Sequence, residues 1–122
     1  MNALNWFEIP ANDLQRAIGF YQSVLGLTFT PDTCFDDVEI AVFPHSETGV
    51  GGALVKAAHL QPNAQGTIAY LGTSELDAVL ARVPTAGGAV LKPKTFLHED
   101  IGHIAVIRDS EGNTVGLHMP MQ

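Results

Sequence analysis

Two side chains that could bind a metal or move a proton, Glu8 and His118, lie near opposite ends of the sequence. Both occur in alternating segments typical of β-strands, where side chains two residues apart share a face. Val115, Leu117 and Met119 are expected to pack on a helix. His118 then points to the opposite, concave side of the sheet, and the same alternation places Glu8 there. The two side chains could ligate a metal or act as acid and base. Alternatively, they could bind each other or the backbone and take part in no chemistry.

The same alternation adds one aromatic ring and two small residues to this concave face. Trp6 shares the face of Glu8, while Thr114 and Gly116 share the face of His118. A tryptophan ring there is a flat surface on which a ring or an acyl chain can stack. It could equally fill the cavity and close it, and the sequence leaves both alternatives open.

A second polar group lies between His98 and His103, in the order His-Glu-Asp-Ile-Gly-His. It differs from the H-E-x-x-H pattern of zinc proteases because its second histidine is one residue too far. Gly102 within the segment and Pro93 before it argue against a helix that would present both imidazoles on one face. We predict a polar loop entering a strand. His103 remains a candidate ligand-binding residue, because loops at sheet edges often border pockets.

An element order that occurs twice must position these residues. A strand at 4–9 precedes a helix with Asn12 as its N-cap and Gly26 at its end, and a strand at 67–71 precedes a helix capped by Ser74. Six further segments are predicted strands: 27–30, 38–43, 51–56, 89–91, 103–108 and 114–119. The pattern predicts an α+β domain of two βαβββ modules, about 1–56 and 67–122, joined by a connection at about 57–66. Helices covering one side leave the other for solvent, a partner or a ligand.

Composition bounds the possible partners. Apolar residues make up 46% of the 122 residues, and the formal net charge is −7. Clustered lysine and arginine are missing, which argues against nucleic acid and against an anionic membrane surface. No apolar run approaches the roughly 18 residues of a membrane span, and no signal peptide is visible. The single cysteine, Cys34, is expected to be a buried, inert thiol in a cytoplasmic protein.

Five segments of the chain resemble the vicinal oxygen chelate superfamily, which contains glyoxalase I, bleomycin-resistance proteins and extradiol dioxygenases. They are WFEIPANDLQRAIGFYQSVLGLTF, GVGGALVK, GTIAYLG, AGGAVLKPKT and DSEGNTVGLH. The likeness is greatest to small, glyoxalase-related members. It implies a curved mixed sheet with helices outside, a small-molecule ligand, and a homodimer whose sheets complete one another's cavities.

The resemblance also marks positions where metal-using members carry His or Glu ligands. Here the first-strand positions fall at Trp6 and Thr67, and the last-strand positions at Gly116 and at Gly52 or Ala53. A threonine hydroxyl is a weak ligand and the others supply none. The family's metal site is therefore predicted to be missing, and no cofactor is expected.

Two classes of function follow. A metal-free, acidic member would resemble the bleomycin-resistance proteins, which sequester a cationic drug between subunits, with Trp6, Glu8, Thr67, Gly116, His103 and His118 as ligand-binding residues. Alternatively, the protein is a glyoxalase-like lyase or isomerase, or a dioxygenase, in which Glu8, His118 or His103 holds a relocated divalent metal. In this second class Glu8 and His118 could also act as an acid–base pair without metal. A structural domain with a filled cavity is a third possibility.

Overall fold

The structure is a computed structural model that describes residues 3–35 and 38–121, except for the side chains at 32–35. The predicted burial of Cys34 therefore lies outside the described residues. The first module contains β1 (Trp6–Pro10), α1 (Leu14–Leu25), β2 (Thr30–Phe35), β3 (Val38–Val42) and β4 (Gly51–Ala57). The second contains β5 (Tyr70–Gly72), α2 (Leu76–Arg82), β6 (Ala89–His98), β7 (Gly102–Arg108) and β8 (Thr114–Met119). The predicted α+β class and the repeated βαβββ order are confirmed.

The eight strands form two separate four-stranded sheets, ordered β1-β4-β3-β2 and β5-β8-β7-β6. In each sheet the first strand of the module runs parallel to the last, and the other neighbours are antiparallel. Each helix is thus the crossover that returns the chain to its own sheet. The first strands, β1 and β5, are edge strands of their sheets.

Helix α1 begins one residue later than predicted. Its N-cap is Asp13, whose carboxylate accepts a hydrogen bond from the backbone of Arg16 at 3.1 Å, and not Asn12. The backbone N–H of Asn12 is already bound by Glu111. The predicted end of the helix is confirmed, because Gly26 adopts the left-handed conformation at φ 68°.

Helix α2 is shorter and less well capped. Its N-cap is Glu75, not the predicted Ser74, and it makes no side-chain capping bond. The hydroxyl of Thr73 instead accepts from the backbone of Glu75 at 3.1 Å. The helix ends at Arg82, two residues before Pro84, which can supply no backbone donor and disfavours helix at the residue before it.

One hydrophobic core joins the two modules. It lies between the helices and the helix-facing sides of both sheets, and it includes Leu54 of the first sheet and Leu117 of the second. Val115 is also buried in it and Met119 packs against it, which confirms the predicted helix-facing side of β8. A smaller cluster covers the opposite face of the first sheet around Ala53, Val55 and Ala57. Among the described residues, no helix is long and apolar enough to cross a membrane.

Candidate functional site

The candidate site is the helix-free face, which we define as the side of each sheet turned away from α1 and α2. On β1 it carries Trp6, which lies opposite Gly51, and Glu8, which lies opposite Ala53. The ring of Trp6 covers Gly51 so closely that a Cβ there would lie 2.9 Å from a ring carbon. Its indole N–H donates to Glu8 Oε2 at 3.3 Å, and the side chain remains 44% exposed. The ring is therefore held in place but open to a ligand.

The second sheet repeats this arrangement with a tyrosine. Tyr70 lies opposite Gly116, and its ring covers that glycine so that any Cβ would collide with it. Tyr70 is 48% exposed. It was not among the predicted site residues, although the apolar character of Leu71, which faces the core, was a signal that its neighbour faces the other way. Each sheet thus presents one exposed aromatic ring lying over a glycine of its last strand.

Glu8 and His118 line different clefts. Glu8 lies with Thr67 and Thr114 in a cleft of about 100 Å³ between β1 and the chain before β5. His118 lies in a wider apolar cleft of about 330 Å³, whose other lining residues are Tyr70, Leu97, Ile101 and Ile104. Its Nε2 is hydrogen-bonded to the carbonyl oxygen of Ile101 and so acts as a donor there. The two side chains are therefore not arranged as an acid–base pair in this chain.

His103 lies on the other face of the sheet. It is opposite Met119, one residue from Ile104, which faces the same way as His118. Its ring packs against Phe96, with 5.2 Å between the ring centroids. The predicted non-helical character of this segment is confirmed, because His98 ends β6 and Gly102 begins β7, with a turn between them.

The positions at which the family carries metal ligands do not provide a metal site. Trp6, Ala53 and Gly116 face the helix-free side and offer no ligand atom, since the indole nitrogen of Trp6 is only a hydrogen-bond donor. Gly52 faces the helices beneath the ring of Phe7. Among the side chains described, those of residues 3–31 and 38–121, no three His, Cys, Asp or Glu are grouped closely enough to hold an ion. The residues present therefore do not fit a divalent metal at these positions.

A buried polar cluster at the turn after β7 fixes α1 against the second sheet. The carboxylate of Glu111 accepts backbone hydrogen bonds from Asn12 and Asp13, each at 2.9 Å, and an ion-paired bond from Arg16 Nε at 2.7 Å. Burial acts to raise the pKa of Glu111, but the Arg16 and backbone hydrogen bonds outweigh it and lower that pKa to about 2. This carboxylate has a structural role, whereas the sequence predicted only a hairpin turn here.

The same turn closes a second set of buried bonds. Tyr21 donates to Asp109 Oδ2 at 2.7 Å, and Asn113 Nδ2 donates to the carbonyl oxygen of Pro10 at 2.7 Å. Burial, followed by the nearby Asp109 carboxylate, raises the pKa of Tyr21 well above its ordinary value. These bonds link the first module to the second, and the Tyr21–Asp109 bond is shielded from water.

A further cleft of about 410 Å³ lies at the seam between β1 and β5. It is lined by apolar side chains from both modules, among them Leu4, Phe7, Leu25, Phe43 and Leu71. The cleft therefore brings side chains of both modules together, while Trp6 and Tyr70 lie on the edge strands of separate sheets.

The paired βαβββ modules, with helices on one side and ligand-sized clefts on the other, define the class of protein. A family model described as the Glyoxalase/Bleomycin resistance protein/Dioxygenase superfamily matches residues 3–117. The chain belongs to this family.

Comparison with individual relatives gives more distant matches. The curated relative named "Putative glyoxylase CFP32", from Mycobacterium bovis, is 27% identical over 109 residues. That match covers 89% of this chain but only 41% of the relative. The structure of TnmS3, described as an antibiotic binding protein from Streptomyces sp. CB03234, is 25% identical with a TM-score of 0.72 and covers 98% of this chain and 97% of its own. A domain of the same family from Frankia sp. EAN1pec has a TM-score of 0.74 at 16% identity, covers 98% of both chains, and shows the fold alone.

Proposed function

We propose that the protein binds a flat, largely apolar small molecule on its helix-free face, against the exposed rings of Trp6 and Tyr70, without a metal ion. The observation that carries this proposal is the pair of aromatic rings lying over Gly51 and Gly116. Aromatic side chains combine a large apolar surface with little conformational freedom, and they favour stacked ligands. Gly116 stands where metal-using relatives place a ligand, so a ring covers a position that a metal would need.

Two further observations support binding. The cleft beside Tyr70 is lined mainly by aliphatic side chains, including Leu97 and Ile104, and has a volume of about 330 Å³. Such a cleft suits a compact apolar molecule. TnmS3, which shares the fold at 25% identity, is described as an antibiotic binding protein. A glyoxalase-like lyase or dioxygenase activity is less well supported, because Glu8 and His118 line separate clefts.

The indole N–H of Trp6 allows a direct test, because this is the one tryptophan in the sequence. A fragment panel of planar aromatic compounds that includes 2-naphthamide would be titrated into ¹⁵N-labelled protein, with and without EDTA. We expect the indole signal and the amide of Gly116 to shift together, with an affinity that EDTA leaves unchanged. Loss of binding in EDTA, or no response to any member of the panel, would refute the proposal.

Variants then locate the binding surface. Trp6→Leu and Tyr70→Leu should each weaken binding by about two- to tenfold, since a stacked ring contributes about 0.5–1.5 kcal/mol. Phe96→Leu is the matched control, because Phe96 is also exposed, at 51%, but packs beside His103 on the other face. An equal loss of affinity in Phe96→Leu would show that the fragment binds elsewhere.

We also propose that the protein is a homodimer, in which a second copy covers apolar residues that one chain leaves exposed. Val90, Leu91 and Leu97 of β6 and Ile101 of the following turn are all at least 38% exposed. Proteins usually protect an edge strand with charged side chains, and an apolar edge is usually covered by another element or by a partner. Sedimentation should give twice the 13.0 kDa chain mass, and a monomer at all concentrations would exclude the dimer.

A reducing compartment such as the cytoplasm is proposed because the sequence contains a single cysteine.

A further inference from the structure

Arg108 lies on the helix-free face with part of its guanidinium unsatisfied. It ends β7 opposite Thr114, while the adjacent Ile107 faces the core. Its Nε is buried, and within the described part of the chain it has no hydrogen-bond partner. A buried guanidinium N–H without a partner is unfavourable, since its contacts with water are lost and nothing replaces them. A ligand acceptor that displaces the atoms covering this Nε would remove the penalty.

The surroundings of Arg108 are basic in a protein whose net charge is −7. Lys92 lies opposite Val106 on the same face. The strand residues paired across this face of the second sheet include no aspartate or glutamate in the described registers: Tyr70, Lys92, Thr95, Ile104, Val106, Arg108, Thr114, Gly116 and His118. Glu8 of β1 lines the cleft beside Thr114 and keeps its negative charge, although its Oε2 accepts a hydrogen bond from the indole of Trp6. Arg108 and Lys92 thus place two positive charges on the helix-free face of the second sheet, whose paired strand residues carry no carboxylate.

The distance between this charge and the aromatic ring is set by the strand. Thr114, opposite Arg108, is two residues from Gly116, over which the ring of Tyr70 lies. Two residues of antiparallel strand span about 7 Å. A single small molecule with an aromatic ring and an acid group could therefore contact both.

We propose that the ligand of this face is an aromatic carboxylic acid, with its ring against Tyr70 and its carboxylate bound by the guanidinium of Arg108. This inference rests on the proposed binding function. It assigns the ligand the opposite charge from the cationic drug that the net charge suggests. Arginine is suited to the role because its planar N–H groups match a carboxylate.

Two probes of the same shape and different charge test this assignment. 2-Naphthoate and 2-naphthamide would be titrated into ¹⁵N-labelled protein at low salt, following the Arg108 Nε–H and Trp6 indole signals. We expect naphthoate to bind about tenfold more tightly, to shift the Arg108 Nε–H signal strongly, and to lose its advantage at 0.5 M salt. Equal affinity of the two probes, with the indole signal still shifting, would overturn the carboxylate assignment and leave the proposed binding function standing. If neither probe shifts either signal, both fail.

Charge-removing variants separate a contact with Arg108 from a general effect of charge. Arg108→Gln should lower naphthoate affinity to that of naphthamide and leave naphthamide affinity unchanged. Lys94→Gln is the control, because Lys94 pairs with Asp77 of α2, away from the helix-free face, and it should leave both affinities unchanged. An equal effect of the two variants would refute a contact at Arg108. If Arg108→Gln does not fold, the comparison of the two probes at low and high salt in the unaltered protein still decides the question.

Discussion

The carboxylate of Glu111 shows how one residue can hold together elements that are distant in sequence. Its side chain is completely shielded from solvent, yet it stays ionised because Arg16 and two backbone N–H groups at the start of α1 bind it. A buried carboxylate without these partners would be strongly destabilising. The cluster therefore depends on the charge state of one group.

This dependence predicts a specific sensitivity to acid. The folded-state pKa of Glu111 is about 2, below its ordinary value of 4.5. Its contribution is complete above about pH 4.5 and is lost as the pH falls toward 2. Glu111→Gln should lower the free energy of unfolding by about 2 kcal/mol at pH 7, and the difference from the unaltered protein should vanish near pH 2. Urea unfolding at a series of pH values measures this. Glu99→Gln, at an exposed turn residue, should show no such difference, and a pH-independent loss in Glu111→Gln would contradict the ionic explanation.

At the residue scale, the alternation of apolar and polar residues predicted which side chains of β8 face the helices. It could not predict which side chains from different strands lie together. The prediction placed Glu8 and His118 in one hollow, whereas they line separate clefts, because Glu8 faces the chain before β5 and His118 faces the turn after β6. Tyr70 and Arg108 were missed, although both lie next to residues that face the core. The unpaired Nε of Arg108 depends on the folded surroundings, so no sequence pattern could reveal it.

At the scale of elements, helix α1 contains an avoidable weakness at Gly19. This glycine is exposed in the middle of the helix, and a Cβ there would meet no atom within 4 Å. Glycine within a helix costs about 0.5–1 kcal/mol relative to alanine, because the unfolded chain loses more freedom on folding. Gly19→Ala should therefore raise the free energy of unfolding by about that amount, measured by urea titration. Gly26→Ala should instead lower it by about 1 kcal/mol, since φ is 68° there. A neutral or destabilising Gly19→Ala would show that this surface is in contact with a partner.

The order of elements was predictable because apolar residues repeat with clearly different spacing in the helices and the strands. The limits of the edge strands were not predictable. β2 continues through Pro31 and β6 through Pro93, residues that favour a break within a central strand. Both strands are at sheet edges. On the open side of an edge strand the missing N–H of a proline costs no hydrogen bond to a neighbouring strand. A strand's place in its sheet is a tertiary property, so the sequence predicted β6 only as far as 91.

At the scale of the whole molecule, the two modules share a single core and a single polar cluster. Residues of α1 and of β8 belong to the same buried set, and the hydroxyl of Tyr21 reaches Asp109 across 88 positions of sequence. Each helix packs on its own sheet, and the contact between α1 and α2 makes the two buried layers continuous. The repeat in the sequence therefore does not correspond to two units of independent stability.

We accordingly expect the modules to unfold in one cooperative transition. Trp6 fluorescence reports on the first module, and the amide signals of Ala105 and Leu117 in ¹⁵N-correlated spectra report on the second. Both should be lost over the same range of urea at a fixed protein concentration. Tyr21→Phe removes the bond to Asp109. It should lower the free energy of unfolding by about 1–3 kcal/mol and move both transitions together to lower urea. If the amides of the second module were lost first while Trp6 remained native, the polar cluster would be an interface between separately folding units. Because the ring of Tyr70 and the guanidinium of Arg108 lie in the second module and Trp6 in the first, coincident transitions would also mean that the binding face exists only in the fully folded chain.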